Sequence, residues 1–158
     1  MDLTFQIDAS GFPAYAENKL DQLNEAFTAK LDRLSEELQR RIKGELSGGI
    51  LQSRSGKAAN SVEILPAAQS GDIIEGGLSA GGDLAPYLIF QEEGTKGPYT
   101  ITAKGRALAF MLDGKLSFFK SVQHPGLPAR RPVGQTFDAM KDEILAGLQA
   151  VPGEVAAQ

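Results

Sequence analysis

Residues 20–42 read LDQLNEAFTAKLDRLSEELQRRI, and the fold turns on this stretch. Leu20, Leu23, Phe27, Leu31, Leu34, Leu38 and Ile42 recur at spacings of 3, 4, 4, 3, 4 and 4, the rhythm of one helical face. The pattern repeats every eleven residues, from Leu20 to Leu31 to Ile42. Eleven residues make three turns, so the apolar stripe runs nearly straight or drifts slightly right-handed, unlike a heptad coiled coil. The opposite face carries Asp32, Glu36, Glu37, Arg40 and Arg41, with Glu36/Arg40 and Glu37/Arg41 spaced as favourable pairs four residues apart. No glycine or proline interrupts the chain from Ala14 until Gly44, Pro13 suits a first helical turn, and Ser47-Gly48-Gly49 is a glycine stop. The spacing therefore predicts a helix from about Ala14 to Leu46. A helix of about 30 residues is roughly 45 Å long, whereas a domain of this size is only about 30 Å across. The excess predicts that part of the stripe packs against a neighbouring subunit. The alternative is a helix lying along its own sheet with a frayed end.

Before this helix, Leu3, Phe5 and Ile7 alternate with polar neighbours, the two-residue period of a half-buried strand. After it, Ser61 to Leu65 reads as a strand, Pro66 to Gly71 as a turn, Ile73 and Ile74 as part of a short second strand, and Gly76 to Asp83 as a glycine-rich loop. Ala85 to Phe90 is short and apolar, and periodicity leaves strand and single helical turn both open. The clearest local signal follows. Ala107 to Leu112 and Lys115 to Lys120 flank Asp113-Gly114, a pair that tolerates the positive φ angles of a type I′ turn, so these residues form a β-hairpin. Phe110 and Phe118 are expected to face the core. His124 to Pro132 holds three prolines, a glycine and two arginines and is expected to be an ordered loop. A last amphipathic helix is expected from about Val133 to Leu148, with Phe137, Met140, Ile144 and Leu148 on one stripe, and residues 149–158 as a flexible tail. The whole is one α+β domain over 1–158: a long N-terminal helix, an antiparallel sheet with a hairpin, and a C-terminal helix.

Composition excludes several functions. With no cysteine and His124 as the only histidine, a transition-metal site would rest on carboxylates alone, and no metal or other cofactor is expected. Glu92 and Glu93 are adjacent, which on a strand would send them to opposite faces, a poor arrangement for an acid/base pair. Ser53, Ser55 and Ser61 lie near Arg54 and Lys57 with no general base in the sequence around them. The glycine pairs 76–77 and 81–82 match neither a dinucleotide fingerprint nor a P-loop. No catalytic residue is nominated. The N-terminus lacks the basic flank and apolar core of a signal peptide, and nothing approaches the roughly 18 apolar residues of a membrane span. Neither export nor a membrane partner is expected.

Charge is unevenly spread. Between Lys96 and Arg131 seven basic residues face Asp113 alone, a net +6 within a chain of net charge −4. Segregation of this kind marks either a surface for an oppositely charged partner or a hairpin with solvated lysines. The aromatic side chains of the same stretch, Tyr99, Phe110, Phe118 and Phe119, could stack on bases if exposed.

Four segments, in order, resemble the HK97-type phage tail-component family of neck and tail-completion proteins. Leu51 to Val62 is similar to its arginine, Ser/Thr, glycine segment leading into a Ser-Val strand. Tyr87 to Thr95 is similar to its tyrosine-to-Glu-x-Gly-Thr signature, Ala107 to Lys120 to its hairpin, and Val122 to Arg130 to its His-Pro-Gly loop. The resemblance spans roughly residues 14–148. Two departures stand out: Glu93 where the family has an aromatic, and Arg131-Pro132-Val133 where it has Pro-Phe. The resemblance implies a non-enzymatic virion protein. It would form a homo-oligomeric ring at the head–tail junction, joining connector to tail tube around the channel through which genomic DNA passes without specific binding. A tail terminator, another tail subunit, and a nucleic-acid-binding module using residues 96–131 are the alternatives. For a ring, the expected interface residues are the helical stripe from Leu20 to Ile42 together with Lys104, Arg106, Lys115, Lys120, Arg130 and Arg131.

Overall fold

The computed structural model describes residues 12–52 and 55–157, with side chains from Asn18 onward. The strand expected at Leu3 to Ile7, and Ser53 and Arg54, lie outside the described residues. The described chain is α+β, in the order α1 (Phe12–Ser47), α2 (Lys57–Asn60), β1 (Glu63–Ser70), β2 (Ile73–Ser79), α3 (Leu88–Glu93), β3 (Tyr99–Thr102), β4 (Leu108–Leu112), β5 (Lys115–Phe119), β6 (Ser121–His124) and α4 (Pro132–Ala156).

Helix α1 is continuous over 36 residues, about 54 Å of rise. It ends at its glycines. The Gly49 amide donates back to the Gly44 carbonyl at 3.3 Å, and the Glu45 carboxylate accepts the Ile50 amide at 3.0 Å. The last turns of α1 hold the core. Ile42 and Leu46, each 1% exposed, meet Leu51, Ala58, Ala59, Val62, Ala85 and Leu88. Further up, α4 lies antiparallel along α1. Two ion pairs mark the alignment, Lys30–Glu154 at 3.2 Å and Arg41–Glu143 at 2.9 Å. Both steps, from 30 to 41 and from 143 to 154, are eleven residues, so the period of the apolar stripe is also the register of the helix pair. On the polar face, Arg41 also pairs with Glu37 as the spacing predicts, whereas Arg40 turns to Glu37 rather than to Glu36.

Helix α4 departs from expectation twice. It does not fray at Leu148 but runs through Pro152 to Ala156. Pro152 removes one helical hydrogen bond, and the buried Val151 and Val155 hold the turn in place. Its buried face is Thr136, Met140, Val151 and Val155, so Phe137, 45% exposed, lies off the stripe assigned to it.

The strands form three separate two-stranded antiparallel ribbons rather than one sheet. In the first, β1 continues through Pro66 instead of turning there. Pro66 and Ala67 stand opposite Gly76 alone, a β-bulge where a residue without an N–H is tolerated. The bulge frees the Ala67 amide, which donates to the Asp32 carboxylate of α1 at 2.8 Å. A side chain at position 76 would put its Cβ 2.8 Å from the Ala67 Cα, so only glycine lets β2 pass the bulge. The turn is displaced to Gly71-Asp72, and the segment expected as loop from Gly76 is strand as far as Ser79. The open choice at Ala85 to Phe90 resolves as helix, with α3 beginning at Leu88.

The two sides of α4 predict opposite mutational outcomes. Met140→Ala, at a fully buried position, is expected to cost about 2–5 kcal/mol of unfolding free energy. Phe137→Ala is expected to cost well under half of that. Urea denaturation of the two variants measures both.

Candidate interaction surfaces

Gly94-Thr95 and Pro125-Gly126-Leu127 clamp one another. The Thr95 amide donates to the Leu127 carbonyl at 2.8 Å, and the Leu127 amide donates to Thr95 Oγ1 at 2.8 Å. A Cβ at position 97 would collide with the Pro125 carbonyl oxygen, so the two segments approach this closely only because residue 97 is glycine. His124 accepts the Gly126 amide on Nδ1 at 3.0 Å, and its ring stacks on Tyr99 with centroids 5.0 Å apart. The only histidine of the chain is thereby engaged in shaping a turn. Two of the segments quoted above, 87–95 and 122–130, thus meet in space.

From this clamp a double-stranded arm extends. Strand β3 pairs with β6 from Tyr99↔His124 to Thr102↔Ser121, and β4 pairs with β5 from Leu108↔Phe119 to Leu112↔Lys115. The Ala103 amide, donating to the Lys120 carbonyl at 2.9 Å, joins the two ribbons. The tip is the expected turn, with Asp113 at φ 48° and Gly114 at φ 75°. Among the described residues, the β3–β6 and β4–β5 ribbons make no extensive packing with any helix or with β1–β2.

The expectation that Phe110 and Phe118 face the core fails for a geometric reason. Phe110 pairs across with Ser117 and Phe118 with Ala109, so the two phenylalanines lie on opposite faces of the ribbon. Among the described residues neither face meets a core. Phe110 instead tilts against Phe119, centroids 6.2 Å apart, while Met111, Leu116 and Phe118 occupy the other face at 67, 58 and 65% exposure.

The predicted interface residues fall into separate places. Along α1, Ile42 is buried, Leu23, Phe27, Leu31, Leu34 and Leu38 are half-buried, and Leu20 is 57% exposed. Much of the stripe is therefore covered within its own chain, and the exposed end is the one beyond the Lys30–Glu154 pair. Lys104, Arg106, Lys115 and Lys120 are exposed and all on the arm, whereas Arg130 and Arg131 sit at the start of α4. There the Arg130 and Arg131 amides donate to the Gln91 carbonyl at 2.8 and 3.1 Å, and the Arg131 guanidinium pairs with Asp138 at 3.1 Å. This exposed pair contributes about 0–1 kcal/mol.

Glu92 has a role the sequence reading missed. Arg131, at φ 48°, precedes α4 without a capping side chain of its own. The Glu92 carboxylate of α3 supplies the cap, accepting the amides of Val133 and, at 3.3 Å, of Gly134. The signal was present. Pro132 marks a helix start, and no Ser, Thr, Asp or Asn stands before it, so the exposed donors had to find an acceptor elsewhere. Glu93 is exposed and lies outside this contact. Ser61 is likewise occupied: its hydroxyl donates to the Ala58 carbonyl at 2.7 Å and accepts the Gly81 amide at 3.0 Å.

Between α3, the glycine loop and the start of α4 lies a groove of roughly 520 Å³. It is lined by Ala85, Pro86, Leu88, Ile89 and Val133 among others, and Glu92 is its only ionisable side chain. Tyr87, Ile89 and Phe90 remain exposed on α3 and at its start. Among the described residues no cluster of three or more His, Asp or Glu is placed to hold a metal ion, and no helix is long and apolar enough to cross a membrane.

Loss of the cap has a defined size. Glu92→Ala is expected to lower stability by about 0.5–2 kcal/mol and to speed amide hydrogen exchange at Val133 and Gly134. Glu93→Ala should leave both unchanged, and denaturant titration with exchange mass spectrometry distinguishes them.

No protein-family model, curated protein or solved structure matches this chain.

Proposed function

We propose that this protein is a non-enzymatic structural subunit of a tailed bacteriophage. It assembles as a ring at the head–tail junction, joins the connector to the tail tube and lines the path by which DNA leaves. One observation carries the assembly part of this reading, the arm. An isolated two-stranded hairpin is marginal in water. This one nevertheless exposes six large apolar side chains, Phe110, Met111, Leu112, Leu116, Phe118 and Phe119. Apolar surface of that density on a projecting ribbon belongs in an interface. Placement in the virion rests on the four ordered segments that resemble neck and tail-completion proteins. Two of them form the clamp, a third forms the hairpin, and the fourth, Leu51 to Val62, contributes Leu51, Ala58, Ala59 and Val62 to the core.

The second reading, a nucleic-acid-binding module, draws on the same arm, where Lys104, Arg106, Lys115 and Lys120 accompany the exposed Phe118. It differs in what it leaves uncovered. Phosphates would engage the four cations, while most of the apolar side chains would stay in water. It also requires duplex or single-strand affinity that falls steeply with salt.

Deletion of the gene from its phage tests the proposal. DNA-filled heads and separate tails that fail to join, rescued by the gene in trans, are the expected result by electron microscopy. Normally joined, infectious particles from the deletion would overturn it. A second expected outcome concerns charge: Lys115→Glu or Lys120→Glu alone changes particle yield only slightly, because exposed pairs contribute about 0–1 kcal/mol each.

A further inference from the structure

One face of the β4–β5 ribbon consists of Ala109, Met111, Leu116 and Phe118, with Lys115 and Ser117 turned to the other. The groove beside α3 is an apolar concavity on the body, of a size that buries ligand-sized apolar groups. The two differ in charge. Residues 80–95 contain Asp83, Glu92 and Glu93 and no lysine or arginine, whereas residues 103–120 contain Lys104, Arg106, Lys115 and Lys120 against Asp113. Glu92 is committed to the cap of α4, and Arg131 on that side is held by Asp138. Asp83 and Glu93, both exposed, are the remaining carboxylates of this segment, next in sequence to the groove-lining Gly82 and Glu92.

We infer that the arm of one copy docks in the α3 groove of the next, with Met111, Leu116 and Phe118 seated on the apolar floor. The arm's cations meet Asp83 and Glu93 at the edge. The inference rests on the reading above that the arm is an assembly surface, and it names the occupant of that surface as a second copy of the same chain. A membrane would take the apolar face and the cations but leave the groove empty. Nucleic acid would take the cations and leave both apolar surfaces in water. Of these three occupants a second copy is the one that covers all three surfaces, giving an apolar centre with a charged rim. Donor and acceptor surfaces are different parts of one chain, so the contact is heterologous. It propagates head to tail and closes into a ring when the rotation allows.

The test uses the full-length protein in sedimentation velocity over a range of concentrations, with Phe118→Glu on the arm and Ile89→Glu in the groove. Both side chains are exposed in the single chain, so circular dichroism and melting temperature should match the parent. The parent is expected to self-associate beyond a dimer. Each variant alone should be monomeric, its association weakened at least roughly tenfold as at an interface centre. An equimolar mixture of the two should stop at a one-to-one dimer, since it retains one intact donor and one intact acceptor. A monomeric parent, or a groove variant that still assembles unaided, would sink the inference. So would flotation of the monomer with anionic phosphatidylserine vesicles, or duplex binding lost in Phe118→Glu, in either case without self-association. Failure here leaves a gene-deletion phenotype untouched. Conversely, self-association with normally joined deletion particles would remove the virion assignment and not this contact.

Discussion

The apolar face of α1 is the surface against which the body closes. Its C-terminal turns bury Ile42 and Leu46 under α2, the start of β1 and the start of α3, and its middle receives α4 in antiparallel register. Everything that has to be placed accurately is fixed through that face. Leu88 anchors α3 in the core, α3 carries Glu92, and Glu92 sets the first turn of α4. The Gln91 carbonyl, one residue earlier, holds the amides of Arg130 and Arg131, and with them the C-terminal end of the loop that returns from the arm. A short helix of six residues thus connects the core to the reaching part of the molecule.

Much of this was legible in the sequence, and the misses have specific physical causes. The α1 stripe and the Asp113-Gly114 turn were readable because each is a local code, a period in one case and a pair of positive φ angles in the other. Pro66 misled because it was read as a turn signal, whereas the chain uses it in a bulge that only Gly76 can face. The Val151-Pro152-Gly153 run was read as a tail, yet Val151 and Val155 are buried and the helix continues past the proline. That is tertiary contact overriding propensity, which one segment taken alone does not display. The phenylalanines of the hairpin were assigned to a core by the general rule that such residues are buried. The rule assumes a core exists on one side of the ribbon, and among the described residues none does on either.

The charge segregation was read correctly as a number and incompletely as a place. The net +6 over residues 96–131 divides into four cations along the arm and two exposed arginines just before α4, with Lys96 near the clamp. Arg131 has its carboxylate within the chain. The arm's cations border apolar side chains, a combination in keeping with the proposed protein contact. A wall past which DNA must slide gains nothing from neutralising phosphates, because each one adds salt-sensitive affinity and drag. Charges bordering an apolar contact do something different: they steer encounter and select register while contributing little to affinity.

The clamp decides whether such an arm can be useful. Ordering a loose ribbon on binding would cost conformational entropy at every rotamer-rich side chain it carries, and that cost comes out of the affinity. Here the ribbon leaves the body between two reciprocal hydrogen bonds of Thr95 and Leu127, a stacked Tyr99–His124 pair, and a glycine approach at Gly97 that admits no side chain. These contacts hold the base of the ribbon within the single chain. A closed ring needs this more than a dimer does. In a head-to-tail assembly each copy inherits the orientation of the last, so an error in the angle at one base is repeated at every contact, and the chain closes only if the angle is held. On the proposed ring assembly, the His-Pro-Gly and Gly-Thr segments would set where the arm points, and the apolar ribbon beyond them what it touches.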